Sequence, residues 1–224
     1  MSQEIEFKFR VDDEAALGRF AAALGHDYEA LEARLQSNTF FDSRDGRLRE
    51  HGLALRLRIE GGEGIVTVKG KGVPRSEDGA LVARLEVETT VPLAAAESVL
   101  RGEHTPLDLL AGAAGDDAQE ALTLLQGALA EAPLITLGGF ENGRTTLPPV
   151  ELDVAGRIVP LVFELDRTTF PGRIDCEIEA EIGPDIEAGP LMEHLRTLLA
   201  RADVAWSPAP SKLARFLEIL ATTR

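Results

Sequence analysis

The feature that most constrains the fold is a strict alternation of charged and apolar side chains, first seen at residues 4–11. Glu4, Glu6, Lys8 and Arg10 alternate there with Ile5, Phe7, Phe9 and Val11. Because successive side chains of a strand point to opposite faces, this segment is predicted to be a β-strand with one charged face and one apolar face. Like neighbours in the charged row lie roughly 7 Å apart. Such a row could hold a divalent metal and meet a phosphate beside it, although a solvated outer face is the alternative for one isolated strand.

The same alternation recurs in later segments and predicts a protein built mainly of antiparallel strands. Leu53 to Glu60 places apolar side chains opposite Arg56 and Arg58, and Arg173 to Ile182 places them opposite acidic ones. The sequence Gly61-Gly62-Glu63-Gly64 predicts a hairpin turn. Further strands are predicted at 32–41, 64–71, 80–91, 134–147, 151–154 and 160–170. About eight strands in hairpin-like succession indicate an antiparallel barrel.

Helices are predicted at defined breaks between these strands. Asp12 or Asp13 can cap a helix that runs to about Leu24. The segment 93–131 is rich in Ala, Leu and acidic residues and predicts two or three inserted helices. Ser211 can cap a last helix after the linker 206–210. We therefore expect a single domain over residues 1–224, with a helical insertion at about 93–131 and C-terminal helices at about 187–221.

Charge and composition narrow the functional classes. Lys and Arg total 23 against 38 Asp and Glu in 224 residues, a net charge of −15, which argues against nucleic-acid and membrane-surface partners. The single cysteine, Cys176, excludes an intramolecular disulfide and is predicted to be a buried apolar side chain rather than a nucleophile. The sequence has no apolar run of membrane-spanning length and no basic-then-apolar leader, so a cytoplasmic location is expected.

Alternation alone does not decide which face of the strands points inward. In one arrangement the apolar faces form an ordinary barrel core and the charges are solvated, as in most antiparallel sheets. In the other, the charged faces line a wide tunnel and helices cover the apolar outside. The charged rows are long, uniform and sorted by sign, with acids at 177–181 and arginines at 56–58, which favours the second arrangement.

A series of short motifs follows in order along the chain. They are Glu4-x-Glu6-x-Lys8, Phe40-Phe41-Asp42, Leu55-Arg56-Leu57-Arg58, Thr67-Val68-Lys69, Arg84-x-Glu86-x-Glu88, Glu164-x-Asp166 and Glu177-x-Glu179. This order resembles the CYTH, or triphosphate tunnel metalloenzyme, superfamily over nearly the whole chain. Lys212, in Ser211-Lys212-Leu213-Ala214-Arg215-Phe216, resembles the lysine of a C-terminal helix in its short triphosphatase-like members.

The resemblance implies an α+β, mainly β fold: an eight-stranded antiparallel tunnel with a charged lumen and an apolar outer wall covered by helices. It implies a small-molecule triphosphate or polyphosphate substrate and Mg²⁺ or Mn²⁺ as the cofactor. The implied phosphate ligands are Lys8, Arg56, Arg58, Lys69, Arg84 and Arg144. The implied metal ligands are Glu4, Glu6, Glu164, Asp166, Glu177 and Glu179. Lys212, Glu86 and Glu88 are the implied catalytic residues, positioning the attacking water or the terminal phosphate.

The function implied first by this resemblance is hydrolysis of inorganic tripolyphosphate to pyrophosphate and phosphate by metal-activated water. A thiamine triphosphatase and a class IV-type adenylate cyclase are alternatives within the family, and the cyclase would need a nucleoside pocket. A non-catalytic polyphosphate- or nucleotide-binding module is a third alternative, which would share the basic residues and could dispense with some carboxylates.

Overall fold

Most strands of the protein belong to one large sheet, seen in a computed structural model that describes residues 2–154, 156–183 and 186–222. The strands are β1 (Ser2–Val11), β2 (Ala33–Ser43), β3 (Ala54–Glu60), β4 (Glu63–Lys69), β5 (Val73–Pro74), β6 (Leu81–Pro92), β7 (Leu134–Thr146), β8 (Val150–Val154), β9 (Arg157–Leu161), β10 (Phe163–Phe170), β11 (Arg173–Glu181) and β12 (Trp206–Pro208). The helices are α1 (Glu14–Ala23), α2 (Arg47–Glu50), α3 (Leu93–Leu100), α4 (Pro106–Ala111), α5 (Asp116–Leu129), α6 (Ala188–Arg201) and α7 (Lys212–Thr222).

Eight of these strands close into an antiparallel barrel. Their hydrogen-bonded order is β1-β11-β10-β7-β2-β3-β4-β6, and an additional pairing of β1 with β6 closes the ring. The short strands β12 and β5 extend the sheet beside β1 and β6, while β8 and β9 form a separate two-stranded sheet. The mainly β barrel predicted from the alternation is therefore confirmed.

Local sequence accounts for where three of the helices begin. The side chain of Asp13 accepts a hydrogen bond from the backbone N–H of Ala16 at 2.9 Å and so caps α1. Thr105 and Asp108 form a reciprocal capping box at the start of α4. Ser211 Oγ accepts from the N–H of Ala214 at 3.2 Å, as expected for the cap of α7. Among the residues that the structure describes, each helix is too short or too polar to cross a bilayer.

The chain divides into two compact units. The first contains Leu35–Gly72 and Arg84–Glu141. In it, Leu55, Leu57 and other apolar side chains of β3, β4 and β6 are buried in one cluster with side chains of α3, α4 and α5. Arg56 and Arg58 alternate with these leucines and therefore lie on the opposite, charged face of the sheet.

The second unit contains Glu4–Arg34, Val73–Ala83 and the described residues from Asn142 onward. Its core joins the apolar faces of β1, β10 and β11 to α1 and α6: Phe7, Ile178 and Ile182 cluster with Leu17 and Leu191. In each unit, helices thus cover the apolar face of the strands. This confirms the second of the two arrangements weighed from the sequence, with the charged rows on the inside of the barrel.

Two predictions of local structure were wrong. The segment 160–170 was expected to be one strand, but β9 ends at Leu161 and β10 begins at Phe163, each with its own partner strand. The segment 206–210 was expected to be a linker, but Trp206–Pro208 pairs with β1 as β12. Proline at its end concealed this strand, because the prediction treated proline as a sign of a loop.

Strands β2 and β7 approach each other unusually closely at Gly139. A Cβ atom placed on Gly139 would lie 1.8 Å from the carbonyl oxygen of Asn38 on β2. No side chain fits there, so only glycine allows this spacing of the two backbones.

Candidate active site

An acidic cluster lies on the charged face of β1, β10 and β11 in the second unit. The strand register sets Glu164 opposite Glu179 and Asp166 opposite Glu177, so like charges face each other directly across two antiparallel strands. Lys8 of β1 is paired with Glu179 on the other side of β11. Asp166 and Glu177 are fully buried, and Glu179 is 6 % exposed. Carboxylates so placed repel each other and require cations close by.

Lys212, the first residue of α7, supplies one of those cations. Its Nζ lies 2.8 Å from Asp166 Oδ2, 2.7 Å from Glu177 Oε2 and 2.6 Å from Glu179 Oε1. A single ammonium thus contacts three carboxylates from two strands. The helix cap at Ser211 places this lysine at the helix start, so that the geometry follows from the local sequence.

Arg144 and Lys8 supply the other cations of the acidic cluster. Arg144 on β7 donates to Asp166 Oδ1 through Nε at 2.8 Å and to Glu179 Oε2 through Nη2 at 2.8 Å, and it also contacts Glu164. Lys8 Nζ lies 3.0 Å from Glu179 Oε1 and 3.2 Å from Glu6 Oε1. The structure therefore brings together eight residues selected from the sequence: Glu6, Lys8, Arg144, Glu164, Asp166, Glu177, Glu179 and Lys212.

The pKa values of the cluster follow from burial opposed by these contacts. Burial alone raises the pKa of Asp166, but Lys212 and Arg144 outweigh it and lower the pKa to about 2. The pKa of Glu179 is likewise held well below its usual range, against burial, by Lys212, Lys8 and Arg144. For Lys212, burial lowers the pKa, but Asp166, Glu177 and Glu179 raise it overall.

Glu164 is the exception among the carboxylates. Burial is the largest cause and raises its pKa; Arg144 lowers it, the charges of Glu179 and Asp166 raise it, and the net shift is upward. The negative charge of Glu164 is thus not fully compensated by the cations around it. Lys8, Arg144 and Lys212 contact five carboxylates: Glu6, Glu164, Asp166, Glu177 and Glu179. Arg215 also contacts Glu177, but it is paired with Asp175 as well.

These residues fit a divalent cation by charge and by donor type. All candidate ligands are carboxylate oxygens, which Mg²⁺ and Mn²⁺ prefer. Glu177 Oε1 is buried and has no hydrogen-bond partner in the described part of the chain. Across residues 2–154, 156–183 and 186–222, however, no three acidic, histidine or cysteine side chains have the spacing of a metal site. The carboxylates of the cluster are in contact with Lys212 and Arg144 instead. Glu4 lies two residues before Glu6 on β1, and its charge contributes to raising the pKa of Lys8.

A basic row lies on the charged face of β3, β4 and β6 in the first unit. Arg56, Thr67 and Glu88 are aligned across the three strands. Arg56 Nη2 donates to Thr67 Oγ1 at 3.0 Å and to Glu88 Oε1 at 3.2 Å, and Thr67 Oγ1 lies 3.1 Å from the same oxygen. Burial raises the pKa of Glu88, but Arg56 and Arg58 outweigh it and the pKa is lowered.

Polar side chains of β2 support the second arginine of this row. Arg58 Nε donates to Asn38 Oδ1 and its Nη1 to Glu60 Oε2, both at 3.4 Å, and Gln36 Nε2 donates to the same Glu60 oxygen at 3.0 Å. Asn38 and Gln36 are almost completely buried. The guanidinium of Arg58 is thereby fixed in direction.

The remaining residues predicted for this row are placed by their strands. Lys69 Nζ lies 2.7 Å from Glu86 Oε2, its cross-strand partner on β6. Arg84 has the same parity as Glu86 and Glu88 and lies on the same face of β6. Glu86 and Glu88, predicted to be catalytic, thus pair with Lys69 and Arg56, and their catalytic role stays a prediction.

Sequence reasoning missed the polar residues that hold the predicted ones. Thr67 was quoted only as part of a motif, and Asn38 and Gln36 carried no signal except their place in a strand with buried neighbours. Arg215 was also missed. It lies three residues after Lys212, and that spacing on one helix face was the available signal.

A closed antiparallel barrel with sorted rows of carboxylates and cations inside it defines the triphosphate-tunnel class of fold. Residues 2–184 match the family described as the CYTH domain, and the chain belongs to that family. The resemblance noted from the motifs is therefore confirmed. No curated protein sequence matches the chain significantly.

Solved structures share this fold. An adenylyl cyclase candidate from Hippeastrum, described as having a dominant triphosphatase activity, is 24 % identical with a TM-score of 0.75, covering 96 % of this chain and 95 % of that one. An adenylate cyclase candidate from Bacillus halodurans is 21 % identical with a TM-score of 0.66, covering 96 % and 99 %. One from Vibrio parahaemolyticus is 16 % identical with a TM-score of 0.51, covering 97 % and 99 %. These likenesses establish the fold alone.

Proposed function

We propose that this protein is a divalent-metal-dependent triphosphatase that hydrolyses inorganic tripolyphosphate to pyrophosphate and phosphate. The observation that carries the proposal is the acidic cluster, in which five carboxylates gather around Lys8, Arg144 and Lys212 in a member of the CYTH family. The pKa of Glu164 is raised by burial and by its acidic neighbours, so the negative charge of this carboxylate is not fully compensated. A bound divalent cation would compensate it, which supports a metal-dependent function.

The basic residues would bind the phosphate oxygens. In the first unit these are Arg56, Arg58, Lys69 and Arg84, and arginine binds such oxygens through two parallel hydrogen bonds. Phosphate oxygens would compete with Glu88 and Glu86 for Arg56 and Lys69, which now hold those carboxylates. Lys8 and Arg144 are the other proposed phosphate ligands. Because Asn38, Glu60 and Thr67 already orient the arginines, little side-chain entropy is lost on binding.

The carboxylates Glu4, Glu6, Glu164, Asp166, Glu177 and Glu179 would hold Mg²⁺ or Mn²⁺. Such an ion neutralises phosphate charge and makes a bound water a better nucleophile near neutral pH. Mg²⁺ retains several waters and takes few carboxylates, so only some of these six bind it directly.

The roles proposed for Lys212, Glu86 and Glu88 complete the mechanism. Lys212 keeps its proton, since the acidic cluster raises its pKa, and would place a fixed positive charge where the terminal phosphate becomes more negative. Glu86 and Glu88 would orient the attacking water and accept its proton. Catalysis would then consist mainly of positioning and charge stabilisation.

The experiment compares phosphate release from tripolyphosphate, ATP and thiamine triphosphate, with Mg²⁺, with Mn²⁺ and with a chelator. We expect tripolyphosphate to be hydrolysed fastest and the chelator to stop the reaction. Glu6→Gln and Glu179→Gln should abolish turnover while the protein remains folded, whereas Glu151→Gln, an exposed change on β8, should leave the rate unchanged. Normal metal-dependent hydrolysis by Glu6→Gln and Glu179→Gln would refute the metal-ligand assignment.

The same assay separates the alternatives. Conversion of ATP to cyclic AMP without hydrolysis of tripolyphosphate would show a cyclase, and preference for thiamine triphosphate would show the second hydrolase. Binding of tripolyphosphate without phosphate release would show a binding module. We also propose a cytoplasmic location and no nucleic-acid or membrane partner, which the net charge of −15 and the single cysteine support.

A further inference from the structure

Arg215 on α7 is one of the largest completely buried side chains of the described chain, at 2 % exposure. Its guanidinium contacts Asp175 and lies 2.7 Å from Glu177 Oε2, both on β11. Its Nε donates to the carbonyl oxygen of Pro210 at 3.2 Å, and the guanidinium carbon lies 5.4 Å from the centre of the Phe170 ring. The hydrogen bonds to Asp175 and Pro210 and the ion pair with Glu177 together fix the helix that carries this buried arginine.

Arg215 and Lys212 both contact the same carboxylate oxygen, Glu177 Oε2. Glu177 Oε2 lies 2.7 Å from Lys212 Nζ and 2.7 Å from Arg215 Nη2. The two residues are three positions apart and therefore lie on the same face of α7. Glu177 is fully buried, neither of its carboxylate oxygens has a hydrogen-bond partner among the described residues, and the ion pairs with these two cations compensate its charge. A change at Arg215 would thus be transmitted to the ammonium of Lys212 through a single carboxylate.

The other partner of Arg215 is itself held in place. Asp175, 3 % exposed, accepts hydrogen bonds from Arg173 Nε at 2.6 Å and from Arg173 Nη2 at 2.9 Å. Burial raises the pKa of Asp175, but Arg173 and Arg215 outweigh it and the pKa is lowered. The Asp175 carboxylate is therefore a charged anchor for Arg215. Arg173 shares that anchor, and its contacts in the described structure include no atom of Glu177.

We infer that Arg215 is a positioning residue, which sets the Lys212 ammonium among Asp166, Glu177 and Glu179 by fixing Glu177 and seating the start of α7. The consequence for turnover rests on the proposed function. The placement of Lys212 does not rest on it, and can be tested without any activity.

The first measurement is the acetylation of individual lysines by limiting acetic anhydride, followed by mass spectrometry. The chain has four lysines, Lys8, Lys69, Lys71 and Lys212. In Arg215→Met, Lys212 should be acetylated several-fold faster than in the wild type, while exposed Lys71 should react at the same rate in both. Arg196→Met removes an arginine that is paired with Asp78 and not with Asp175, and should leave the rate at Lys212 unchanged. An unchanged rate at Lys212 in Arg215→Met would overturn the inference, whatever the enzyme does.

The second measurement is a double-mutant cycle on the hydrolysis of tripolyphosphate. Arg215→Met should lower kcat about tenfold to a hundredfold, with a smaller change in KM, because the loss concerns a charge that acts in the transition state. In a Lys212→Met background the same substitution should change kcat little, since the residue through which Arg215 acts is gone. Equal losses in both backgrounds would show that Arg215 only stabilises the fold.

Arg215→Lys keeps the experiment decisive if Arg215→Met does not fold. One ammonium keeps the buried charge but cannot reproduce the two-sided contact of the guanidinium with Asp175 and Glu177. We expect Arg215→Lys to fold, to retain part of kcat and to leave Lys212 more reactive than in the wild type. A wild-type kcat together with wild-type reactivity of Lys212 in Arg215→Lys would overturn the inference. If the wild type hydrolyses no triphosphate, the proposed function fails, and the acetylation result still decides the role of Arg215.

Discussion

Lys212 Nζ lies 2.8 Å from Asp166 Oδ2, although 46 positions separate the two residues in the sequence. With Arg144 it outweighs the effect of burial and lowers the pKa of Asp166 to about 2. A carboxyl group with a lowered pKa stabilises the folded state above its unfolded-state pKa, and that contribution is lost as the pH falls towards the folded-state value.

The first prediction concerns acid unfolding. Between about pH 4, near the unfolded-state pKa of an aspartate, and pH 2, the wild type should lose stability steeply. Asp166→Asn should be less stable at pH 7, by roughly 2 kcal/mol, and its stability should fall less over the same acidic range. Urea unfolding at successive pH values measures the free energy of unfolding at pH 7 and its fall over the acidic range. Parallel curves for the two proteins would contradict the role of Asp166.

The second prediction concerns Lys212 itself. Lys212→Ala should lower kcat for tripolyphosphate by about tenfold to a thousandfold, the scale expected for loss of one positioned charge. Lys71→Ala removes an exposed lysine and serves as the matched control, for which steady-state kinetics should show no change. If Lys212→Ala retained full kcat, Lys212 would be only a structural counter-charge to the acidic cluster.

The third prediction concerns Glu164, whose pKa is raised by burial and by Glu179 and Asp166. A raised carboxyl pKa gives stability that is complete at low pH and is lost as the pH rises through the folded-state pKa. At pH 7, Glu164→Gln should therefore raise the Tm, and the gain should vanish near pH 4, where the native carboxyl is itself largely protonated. Thermal unfolding at both pH values tests this, with the exposed change Glu151→Gln as control. A lower Tm at pH 7 would show that the contact with Arg144 outweighs the repulsion.

The fourth prediction concerns Thr67, whose hydroxyl links Arg56 to Glu88 and is completely buried. Thr67→Val keeps the shape and removes both hydrogen bonds, so Arg56 loses part of its orientation. Removing such bonds costs about 1 kcal/mol each, so KM for tripolyphosphate should rise several-fold while kcat changes less. A lowered Tm with unchanged KM would assign Thr67 to stability alone.

The fifth prediction concerns the close approach of β2 and β7. Gly139→Ala would place a methyl group against the Asn38 carbonyl, and the strands would have to separate. We expect a loss of roughly 2 kcal/mol or more, as for other forced overpacking. Gly143→Ala in the same strand is the control, because its methyl would meet its nearest atom, the Arg167 carbonyl oxygen, at an ordinary 3.8 Å. Equal unfolding midpoints for the two variants would show that β7 can shift without cost.

The sequence predicted the fold where the pattern was local. The alternation of Leu55 and Leu57 with Arg56 and Arg58 predicted both the strand and its two faces, because the period of a strand is visible in a few residues. The burial of Cys176 was predicted correctly on the same grounds, and burial raises the pKa of its thiol to about 11. The helix that begins at Lys212 followed from its cap.

The contacts of the candidate site were harder to predict because they join distant segments. Nothing near Lys212 in the sequence indicates that one ammonium meets three carboxylates, since that depends on how α7 packs against β10 and β11. Arg215 was not selected from the sequence, because its contact with the buried Asp175 joins α7 to β11. The break between β9 and β10 at Val162 was missed because apolar alternation continues on both sides of it.

The register of β10 with β11 has a consequence for the order of folding. The two strands are joined by Pro171 and Gly172 alone, and so short a loop usually lets a hairpin form early. Here Glu164 faces Glu179 and Asp166 faces Glu177, so the carboxylates of the two strands repel each other and destabilise the isolated hairpin. The cations that relieve the repulsion belong to β1, β7 and α7, far away along the chain. The β10–β11 hairpin is therefore expected to form only after β1, β7 and α7 have packed against it. The folding nucleus is expected to form elsewhere in the chain.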